Sequence, residues 1–222
     1  MKSIIVGTTD LANQLYFHIK KHNAADVVAF AVNRDYIQND TFLDLPVVEL
    51  ETLEQCYPPN EYNIYIAIGY KQMNLVRQRI YEFLNDKGYE FPNFIHPSVI
   101  TDYESIGEAN IILANTAIDC FSKVGNGNIF FQSSVIGHNC VVGNFNLISA
   151  NVCICGHAQV GNNCFIGASS TVKNTAIVRD KTLIGAGIYI SKNSKVEQVF
   201  VSPKCLSLDR SSLDVMAITK LG

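Results

Sequence analysis

The chain lacks any unbroken run of about 18 apolar residues, the length that a membrane-spanning helix needs. The apolar run near the N-terminus, residues 4–6, is too short for a signal peptide, so we expect a cytoplasmic protein. The 17 Lys and Arg residues are scattered and the formal net charge is -3, so no basic face for nucleic acid is predicted. The seven Cys of a cytoplasmic chain are expected to be reduced thiols rather than disulfides.

Charged residues are also scarce. They make up 17% of the 222 residues, against 48% for hydrophobic residues, and this balance excludes an intrinsically disordered chain. A chain of this length buries a sizeable core as one large domain or two small ones. The composition therefore predicts a folded globular protein without a membrane or nucleic-acid partner.

The first half of the chain alternates strand patterns with helix patterns. Short apolar runs predict strands at residues 4–6, 27–32, 45–48 and 64–68. Apolar residues at helical spacing predict a helix over residues 11–21 with Asp10 as its N-cap, and another over residues 74–87 that is ended by Gly88. Strands that alternate with helices predict a small Rossmann-like α/β domain with an open parallel sheet.

The second half has a different period, because an apolar residue recurs at every sixth position from Ile100 to Val196. All seventeen of these positions except Phe130 hold Ile or Val. Helices and strands have side-chain periods of about 3.6 and 2, so neither explains the pattern. It indicates short strands joined by tight turns, with one side chain per hexad in a narrow core. Three hexads make one triangular coil, and stacked coils form a parallel β-helix.

These patterns divide the chain into three parts. Residues 1–95 are predicted to form the Rossmann-like domain. Residues 96–200 are predicted to form the β-helix, with Pro97 holding the connection extended. Residues 201–222 leave the hexad pattern and are expected to form a C-terminal tail or capping segment, with a short helix over residues 211–220.

Four segments resemble the left-handed β-helix, or hexapeptide-repeat, acyltransferases, in particular the group of sialic acid O-acetyltransferases and nucleotide-sugar N-acetyltransferases. They are residues 64–70 (IYIAIGY), 94–98 (FIHPS), 136–143 (IGHNCVVG) and 154–161 (ICGHAQVG). The resemblance implies that the β-helix is left-handed and that the chain forms a homotrimer with active sites at the subunit interfaces. It also implies that the N-terminal domain holds a nucleotide-linked sugar and that acetyl-CoA lies in the groove between two adjacent subunits.

The activity that the resemblance implies is the transfer of acetyl from acetyl-CoA to the amino group of a nucleotide-linked sugar for bacterial surface glycan synthesis. A 4-amino-6-deoxy sugar is the expected acceptor. Sugar O-acetylation and a non-catalytic scaffold that binds nucleotide sugar are the alternatives. A zinc-dependent hydratase on the same β-helix would need three His ligands, and the hexads contain only His138 and His157.

No metal is expected from the cysteines either. The spacing of one cluster matches no zinc pattern: Cys140, Cys153, Cys155 and Cys164. Cys140 and Cys164 occupy the position four residues after a core residue, where small residues such as Ser134 are also found. Packing at a tight corner therefore explains them.

The predicted catalytic residues are His138 and Asn139. His138 matches the position of the family's catalytic His, and it lies two residues after the core residue Ile136, so the turn is expected to direct it outward. A neutral imidazole there takes a proton from an attacking amine or hydroxyl. Asn139 stands where many relatives carry an acidic residue. An amide holds the ring's tautomer but does not stabilise an imidazolium as a carboxylate does, which favours an amine acceptor over a hydroxyl.

Three small residues are predicted to bind acetyl-CoA. Gly156 matches the family position whose backbone amide approaches the acetyl-CoA carbonyl, and its missing Cβ permits that approach. Ala168 and Ala186 match other positions that line the CoA groove, although close packing of the coils explains their size equally well. His157 lies about one coil after His138. Two interpretations are possible for it: a second residue that transfers protons, or a histidine on a solvent-exposed turn.

The sugar nucleotide is expected at the switch point of the N-terminal sheet, where open α/β sheets bind ligands. The candidate contacts come from three loops and are Thr8, Thr9, Asp10, Asn33, Arg34, Gly69 and Tyr70. Relatives carry a glycine-rich turn with a His in the first loop and paired Asp residues in the second. Leu11 occupies the place of that His here. The incomplete glycine motif argues against NAD binding, and ordinary solvation is the alternative for the second loop.

Overall fold

The structure is a computed structural model that describes residues 1–203, 209 and 211. Most of the predicted C-terminal segment, including the helix expected over residues 211–220, therefore lies outside the described residues. Strands β1–β5 span Lys2–Val6, Asp26–Val32, Thr41–Phe42, Leu45–Glu49 and Tyr62–Ile66, and helices α1–α3 span Asp10–His22, Leu53–Cys56 and Leu75–Asn85. None of the helices in this part of the chain has the length and apolar character needed to span a bilayer.

The N-terminal strands form one sheet in the order β3-β4-β2-β1-β5. All pairs are parallel except β3 with β4. The predicted N-cap of the first helix is wrong: α1 begins at Asp10, and Thr9 is the N-cap, without a side-chain hydrogen bond. The second predicted helix is shorter at both ends, because Asn74 has a left-handed φ of 65° and α3 ends at Asn85.

Helix α1 lies between the N-terminal sheet and the β-helix. Its buried face, formed by Ala12, Leu15 and Ile19, contacts the sheet through Ile5 and Phe30. The same core continues into outward-facing residues of the β-helix: Phe94, Ile111, Leu113, Ile129 and Leu147. The opposite face of the sheet packs against α3. One hydrophobic cluster therefore joins the N-terminal layer to the outer surface of the β-helix.

Residues 94–200 form a three-sided parallel β-helix, the prism. Prism sheet 1 has six strands, which are Ile100–Thr101, Ala117–Ile118, Val135–Ile136, Cys153–Ile154, Thr171–Val172 and Tyr189–Ile190. Prism sheet 2 has five strands, which are Ser105–Ile106, Lys123–Val124, Val141–Val142, Gln159–Val160 and Ile177–Val178. Prism sheet 3 has seven strands, which are Phe94–Ile95, Ile111–Ile112, Ile129–Phe130, Leu147–Ile148, Phe165–Ile166, Leu183–Ile184 and Val199–Phe200. We name each corner by the sheets that it joins: 1–2, 2–3 and 3–1.

The hexad prediction holds through the body of the prism and fails at both of its ends. From Ile112 to Ile190 the second residue of every strand is buried in one narrow core. Ile100 is 63% exposed, because Thr101 and not Ile100 pairs with Ile118 and the first coil is one residue short. Val196 is 56% exposed, because the chain leaves the frame before the final strand, Val199–Phe200.

Each corner turns through a residue with left-handed backbone three positions after the core residue. From Ala109 to Gly187 these residues have φ between 54° and 68°, and only Gly127 and Gly187 among them are glycine. The residue after that points inward and is small and buried, as at Ser134 and Cys140. The corner therefore places a side chain two residues after the core outward, which is the position of His138.

The 2–3 corner is held together by two ladders of asparagine side chains. In the inner ladder Asn110, Asn128 and Asn146 lie one above another, and each Oδ1 accepts a hydrogen bond from the backbone N–H of the next coil, at 2.7–2.9 Å. A second ladder runs in the opposite sense. The backbone N–H of Asn126 donates to Oδ1 of Asn144, and that of Asn144 donates to Oδ1 of Asn162, both at 2.8 Å. These bonds satisfy backbone donors that the tight corner turns away from the strand ladders.

A buried arginine joins α3 to this corner. Arg77 is 1% exposed, and its guanidinium donates to the carbonyl oxygens of Gly127, Phe145 and Asn146 in the prism at 2.9–3.1 Å. It also donates to the carbonyl oxygens of Ile68 and Gly69 at 2.9 and 3.0 Å. Burial lowers the pKa of Arg77 to about 9, which leaves it charged at neutral pH.

We expect Arg77→Met to destabilise the protein by about 3–5 kcal/mol, because it leaves several buried carbonyl groups without a donor. The matched control is Arg79→Met in the same helix, where the side chain is exposed and the cost should stay below about 0.5 kcal/mol. Denaturant unfolding of both variants measures the difference. Equal stability of the two variants would show that the carbonyl contacts of Arg77 add nothing.

Candidate active site

His138 lies on the 1–2 corner, and its side chain is exposed. Its Nδ1 is 2.9 Å from Oδ1 of Asn139, which has the left-handed backbone of the corner with a φ of 57°. An amide oxygen only accepts hydrogen bonds, so Nδ1 carries the hydrogen in this contact and Nε2 keeps its lone pair. The arrangement suits a general base that acts through Nε2. No carboxylate in residues 1–203 is hydrogen-bonded to the ring.

Gly156 lies one coil above His138 on the same corner and leaves room for the imidazole. A Cβ built on Gly156 would lie 2.6 Å from His138 Nε2 and 2.9 Å from Cε1. Nε2 therefore faces the bare backbone of Gly156 at close range. His157 completes this cluster: its ring centroid is 5.0 Å from that of His138, at an interplanar angle of 89°.

The other two predicted CoA contacts lie on a different edge of the prism. Ala168 and Ala186 are one coil apart on the 3–1 corner, where the Gly187 N–H donates to the Ala168 carbonyl oxygen at 2.8 Å. Ala168 is half-buried and Ala186 is exposed. Within one chain, prism sheet 1 separates these alanines from His138 and Gly156. A single chain therefore does not bring the predicted CoA residues together.

A cavity of about 720 Å³ lies between the N-terminal layer and the prism. Its walls come from the first turns of α1, the loop after β5, prism sheet 3 and the 3–1 corner: Asp10, Leu11, Asn13, Gln14, Phe17, Gly69, Tyr70, Phe131, Leu147, Ser149 and Phe165. This is the switch point of the sheet, because β2 and β5 lie on opposite sides of β1. The cavity includes three of the predicted substrate contacts, Asp10, Gly69 and Tyr70.

The remaining predicted substrate residues lie near the same edge of the sheet but do not line the cavity. Thr8 is half-buried and Thr9 is exposed, next to Gly7, whose φ of 117° and close approach to the Ala67 carbonyl exclude a side chain. Asn33 Nδ2 donates to Glu51 Oε1 at 2.8 Å, and the Arg34 N–H donates to Glu51 Oε2 at 3.1 Å. This contact orders the second loop.

The Arg34 guanidinium stays largely free in solvent. Its side chain is 79% exposed, and Nε is 3.9 Å from a Glu49 carboxylate oxygen. Such a weak ion pair leaves the cation available to a phosphate at the rim of the sheet.

The sequence analysis missed the prism side of the cavity. Phe131 and Phe165 line it, and the Phe165 ring lies 5.1 Å from that of Tyr70. A signal was present: the residue before the core residue is apolar in every third hexad, at Ile129, Leu147 and Phe165. Outward apolar residues at a spacing of one coil mark the prism face that another part of the chain covers.

Comparisons with known proteins agree with this architecture. A family model described as the hexapeptide repeat of succinyl-transferase matches residues 158–192. The acetyltransferase domain of PglB from Neisseria gonorrhoeae is 21% identical with a TM-score of 0.80, over 89% of this chain and 95% of that chain. PerB from Caulobacter crescentus, solved with CoA and GDP-perosamine, is 23% identical with a TM-score of 0.78, over 90% and 93% of the two chains. WeeI from Acinetobacter baumannii is 17% identical with a TM-score of 0.57, over 86% and 94%.

At these identities the likeness concerns the fold, and it confirms the fold predicted from the hexads and from the four resembling segments. The small α/β layer precedes the prism in the matched region, since about nine tenths of each chain is covered. The chain therefore has the left-handed β-helix fold of the hexapeptide-repeat acetyltransferases, preceded by a small α/β sheet.

Proposed function

We propose that the protein transfers an acetyl group from acetyl-CoA to the amino group of a nucleotide-linked sugar, with a 4-amino-6-deoxy sugar as the expected acceptor. The observation that carries this proposal is the His138 geometry, in which Asn139 holds Nδ1 and Nε2 faces the bare backbone of Gly156. The fold relatives support the choice of substrates, since PerB was solved with CoA and GDP-perosamine. The cytoplasmic location and a role in surface glycan synthesis stay predictions.

His138 is the proposed base and then acid of the reaction. Acetyl-CoA supplies the acetyl group as an activated thioester. As the sugar nitrogen bonds to the acetyl carbon, Nε2 of His138 takes the nitrogen's proton. The carbon–sulfur bond breaks, and the same proton passes from Nε2 to the CoA sulfur. Asn139 keeps Nδ1–H in place throughout, and the Gly156 N–H is the proposed donor to the developing negative charge on the carbonyl oxygen.

The cavity at the switch point is the proposed site of the sugar nucleotide. Its volume of about 720 Å³ suits a ligand of that size. Phe17, Tyr70, Phe131 and Phe165 supply aromatic faces for a base or a sugar ring. The first turn of α1 borders the cavity, and the N-terminus of a helix favours phosphate.

The two parts of the site are proposed to meet between chains of a homotrimer. His138 and Gly156 lie on the 1–2 corner, whereas the cavity and Ala168 lie at the 3–1 corner of the same prism. The surface around His138 exposes several large apolar side chains to solvent: Phe121 is 62%, Val135 43% and Val141 44% exposed. A neighbouring chain that covers these residues would bring its own cavity to His138, and one groove for acetyl-CoA would then contain all three predicted small residues.

The test is a thiol-release assay with acetyl-CoA and a panel of UDP-, dTDP- and GDP-linked 4-amino-6-deoxy sugars, including GDP-perosamine, with mass spectrometry of the products. We expect one added acetyl group, on nitrogen, with one panel member. Acetylation of a hydroxyl would replace the proposal with sugar O-acetylation. Binding of a nucleotide sugar without turnover of acetyl-CoA would replace it with the scaffold.

A Gly156→Ala substitution tests the role of the bare backbone. The new Cβ would lie 2.6 Å from His138 Nε2, so the ring must leave the position that we propose for proton transfer. We expect kcat/KM for acetyl-CoA to fall at least about tenfold, with an unchanged Tm. Steady-state kinetics and a thermal melt measure both. In a His138→Ala background the same change should lower kcat/KM little further. If it lowers kcat/KM there as much as in the wild-type protein, Gly156 does not act through His138.

A further inference from the structure

Three of the five histidines form a cluster that the proposed reaction does not use. His18 and His22 lie one turn apart on α1 and so share a face of the helix. His96 belongs to the prism and follows the strand Phe94–Ile95. One ring nitrogen of each histidine lies within 4.8 Å of those of the other two. The ring centroid of His96 is 5.1 Å from that of His18 and 4.7 Å from that of His22.

The spacing of one pair of these nitrogens is close to that in a tetrahedral metal site. His22 Nε2 and His96 Nε2 are 3.2 Å apart. Zinc binds imidazole nitrogen at about 2.0–2.1 Å, which places two ligands of a tetrahedral ion about 3.3 Å apart. The third nitrogen, on His18, lies within 4.8 Å of both, so a side-chain rotation has to shorten that distance when an ion binds. All three residues are half-buried, so a water molecule has access to a fourth position.

The cluster contains unused hydrogen-bonding capacity. Nδ1 of His18 is buried and has no hydrogen-bond partner among the described residues. Burial, followed by the positive charge that His22 and Lys21 carry when protonated, lowers the pKa of His18. Burial and the neighbouring His18, His22 and Lys21 also lower the pKa of His96. Both shifts favour the neutral form of the ring, which is the form that binds metal.

A hydroxyl group is placed to support His96 as a ligand. Ser98 Oγ is 2.9 Å from His96 Nδ1, and it accepts the Asn115 N–H at 2.9 Å. A hydroxyl oxygen has a second lone pair, so it accepts the Nδ1–H of a ring that binds metal through Nε2. Nδ1 of His96 also accepts the Ser98 N–H at 3.2 Å, so binding of an ion at Nε2 would require the ring hydrogen to move from Nε2 to Nδ1.

We propose that His18, His22 and His96 bind one divalent transition-metal ion of the zinc class, which links the C-terminal end of α1 to the first coil of the prism. The other end of α1 borders the switch-point cavity, so the ion would hold a wall of that cavity in position. The absence of metal expected from the sequence came from the hexads and cysteines alone. His18 and His22 are four residues apart, but His96 is distant in the sequence and only the fold brings it to them.

The experiment uses the full chain without a histidine tag, kept reduced and stripped of metal. Co²⁺ serves as the spectroscopic probe, and Zn²⁺ binding is followed by calorimetry. We expect one ion per chain, with ligand-field bands of nitrogen ligation and without a thiolate charge-transfer band. His22→Ala and His96→Gln should each weaken binding at least about 100-fold. With Zn²⁺ at about 100 times its Kd, the Tm of the wild-type protein should rise by about 5–10 °C.

Matched controls come from the same chain. His157→Ala removes a histidine outside the cluster, and Cys155→Ser removes a thiol, so both should retain wild-type affinity and the rise in Tm. Circular dichroism of the metal-free variants checks that they fold. Failure of the wild-type protein to bind one ion at micromolar concentration would overturn the proposal. So would undiminished binding by folded His22→Ala and His96→Gln, or a thiolate charge-transfer band with Co²⁺.

Discussion

Replacing His138 with alanine is expected to lower kcat by at least about 100-fold on the acceptor that the panel identifies, because the reaction loses its proposed base. The fold should survive, since the side chain is exposed and its one side-chain hydrogen bond is to Asn139. Steady-state turnover, a thermal melt and the molar mass in solution test both parts. Wild-type turnover in a folded His138→Ala protein would remove His138 from the mechanism.

His157 is the matched control for this substitution. It lies on the same corner, and its ring contacts that of His138. Among the described residues, however, no side-chain hydrogen bond holds its tautomer as Asn139 holds that of His138. We expect His157→Ala to retain turnover within about threefold of the wild-type protein. A loss as large as that of His138→Ala would assign proton transfer to the pair of histidines.

Mixed trimers extend the His138 test to the proposed sharing of sites between chains. One chain type carries His138→Ala, and the other carries Ser149→Trp, which fills the cavity on the 3–1 corner. In a cyclic trimer with both types, one interface of three joins an intact cavity to an intact His138. Random assembly from equal amounts should then restore about a quarter of the wild-type turnover, although each variant alone is inactive. No recovery on co-refolding would place the site within one chain.

The sequence predicted the prism because burial selects its core residues directly. Each hexad needs one branched aliphatic side chain in the core, so the hexad period is visible in the sequence without any knowledge of the fold. Ile118, Ile136 and Ile154 are members of the series that stack on neighbouring coils. The ends of the prism were not visible in the same way. Ile100 continues the series in the sequence, yet a single missing residue in the first coil turns it outward.

The corners were predicted less well, because their left-handed residues have no common side chain. Phe121, Thr175 and Lys181 adopt φ values of 54–62° at positions where glycine would be the usual signal. The pairing of neighbouring coils imposes this conformation, and that pairing is a property of the whole prism. The resemblance rather than the spacing selected His138 from the outward residues of the corners.

The prism side of the cavity was not predicted and the histidine cluster could not be, because both depend on where α1 lies. Asp10, at one end of the helix, lines the cavity, while His22, at the other end, contacts His96. The apolar face of α1 is evident in the sequence, but the surface that it covers is not. The outward Leu147 and Phe165 show only that prism sheet 3 is covered by another part of the chain.

Replacing Ile148 with aspartate is expected to abolish folding. Ile148 is 0% exposed at the centre of the prism, where its strand pairs with Ile129–Phe130 on one side and Phe165–Ile166 on the other. A carboxylate there would lie among the apolar side chains of the prism core, with Phe130 and Ile166 on the neighbouring strands. The cost of burying an unpaired charge exceeds the total stability of a typical domain, about 5–15 kcal/mol. Soluble yield, circular dichroism and molar mass in solution measure the loss.

Two controls separate the effect of the charge from that of the position. Ile148→Val removes one methyl group from the same site and should cost only about 0.5–1.5 kcal/mol. Ile100→Asp introduces the same charge at another member of the hexad series, but at a side chain that is 63% exposed, so the protein should fold. The sequence pattern alone predicts equal damage from Ile100→Asp and Ile148→Asp, whereas the structure predicts that only the second prevents folding. If Ile100→Asp and Ile148→Asp both prevent folding, Ile100 belongs to the prism core, and the pairing of Thr101 with Ile118 is wrong.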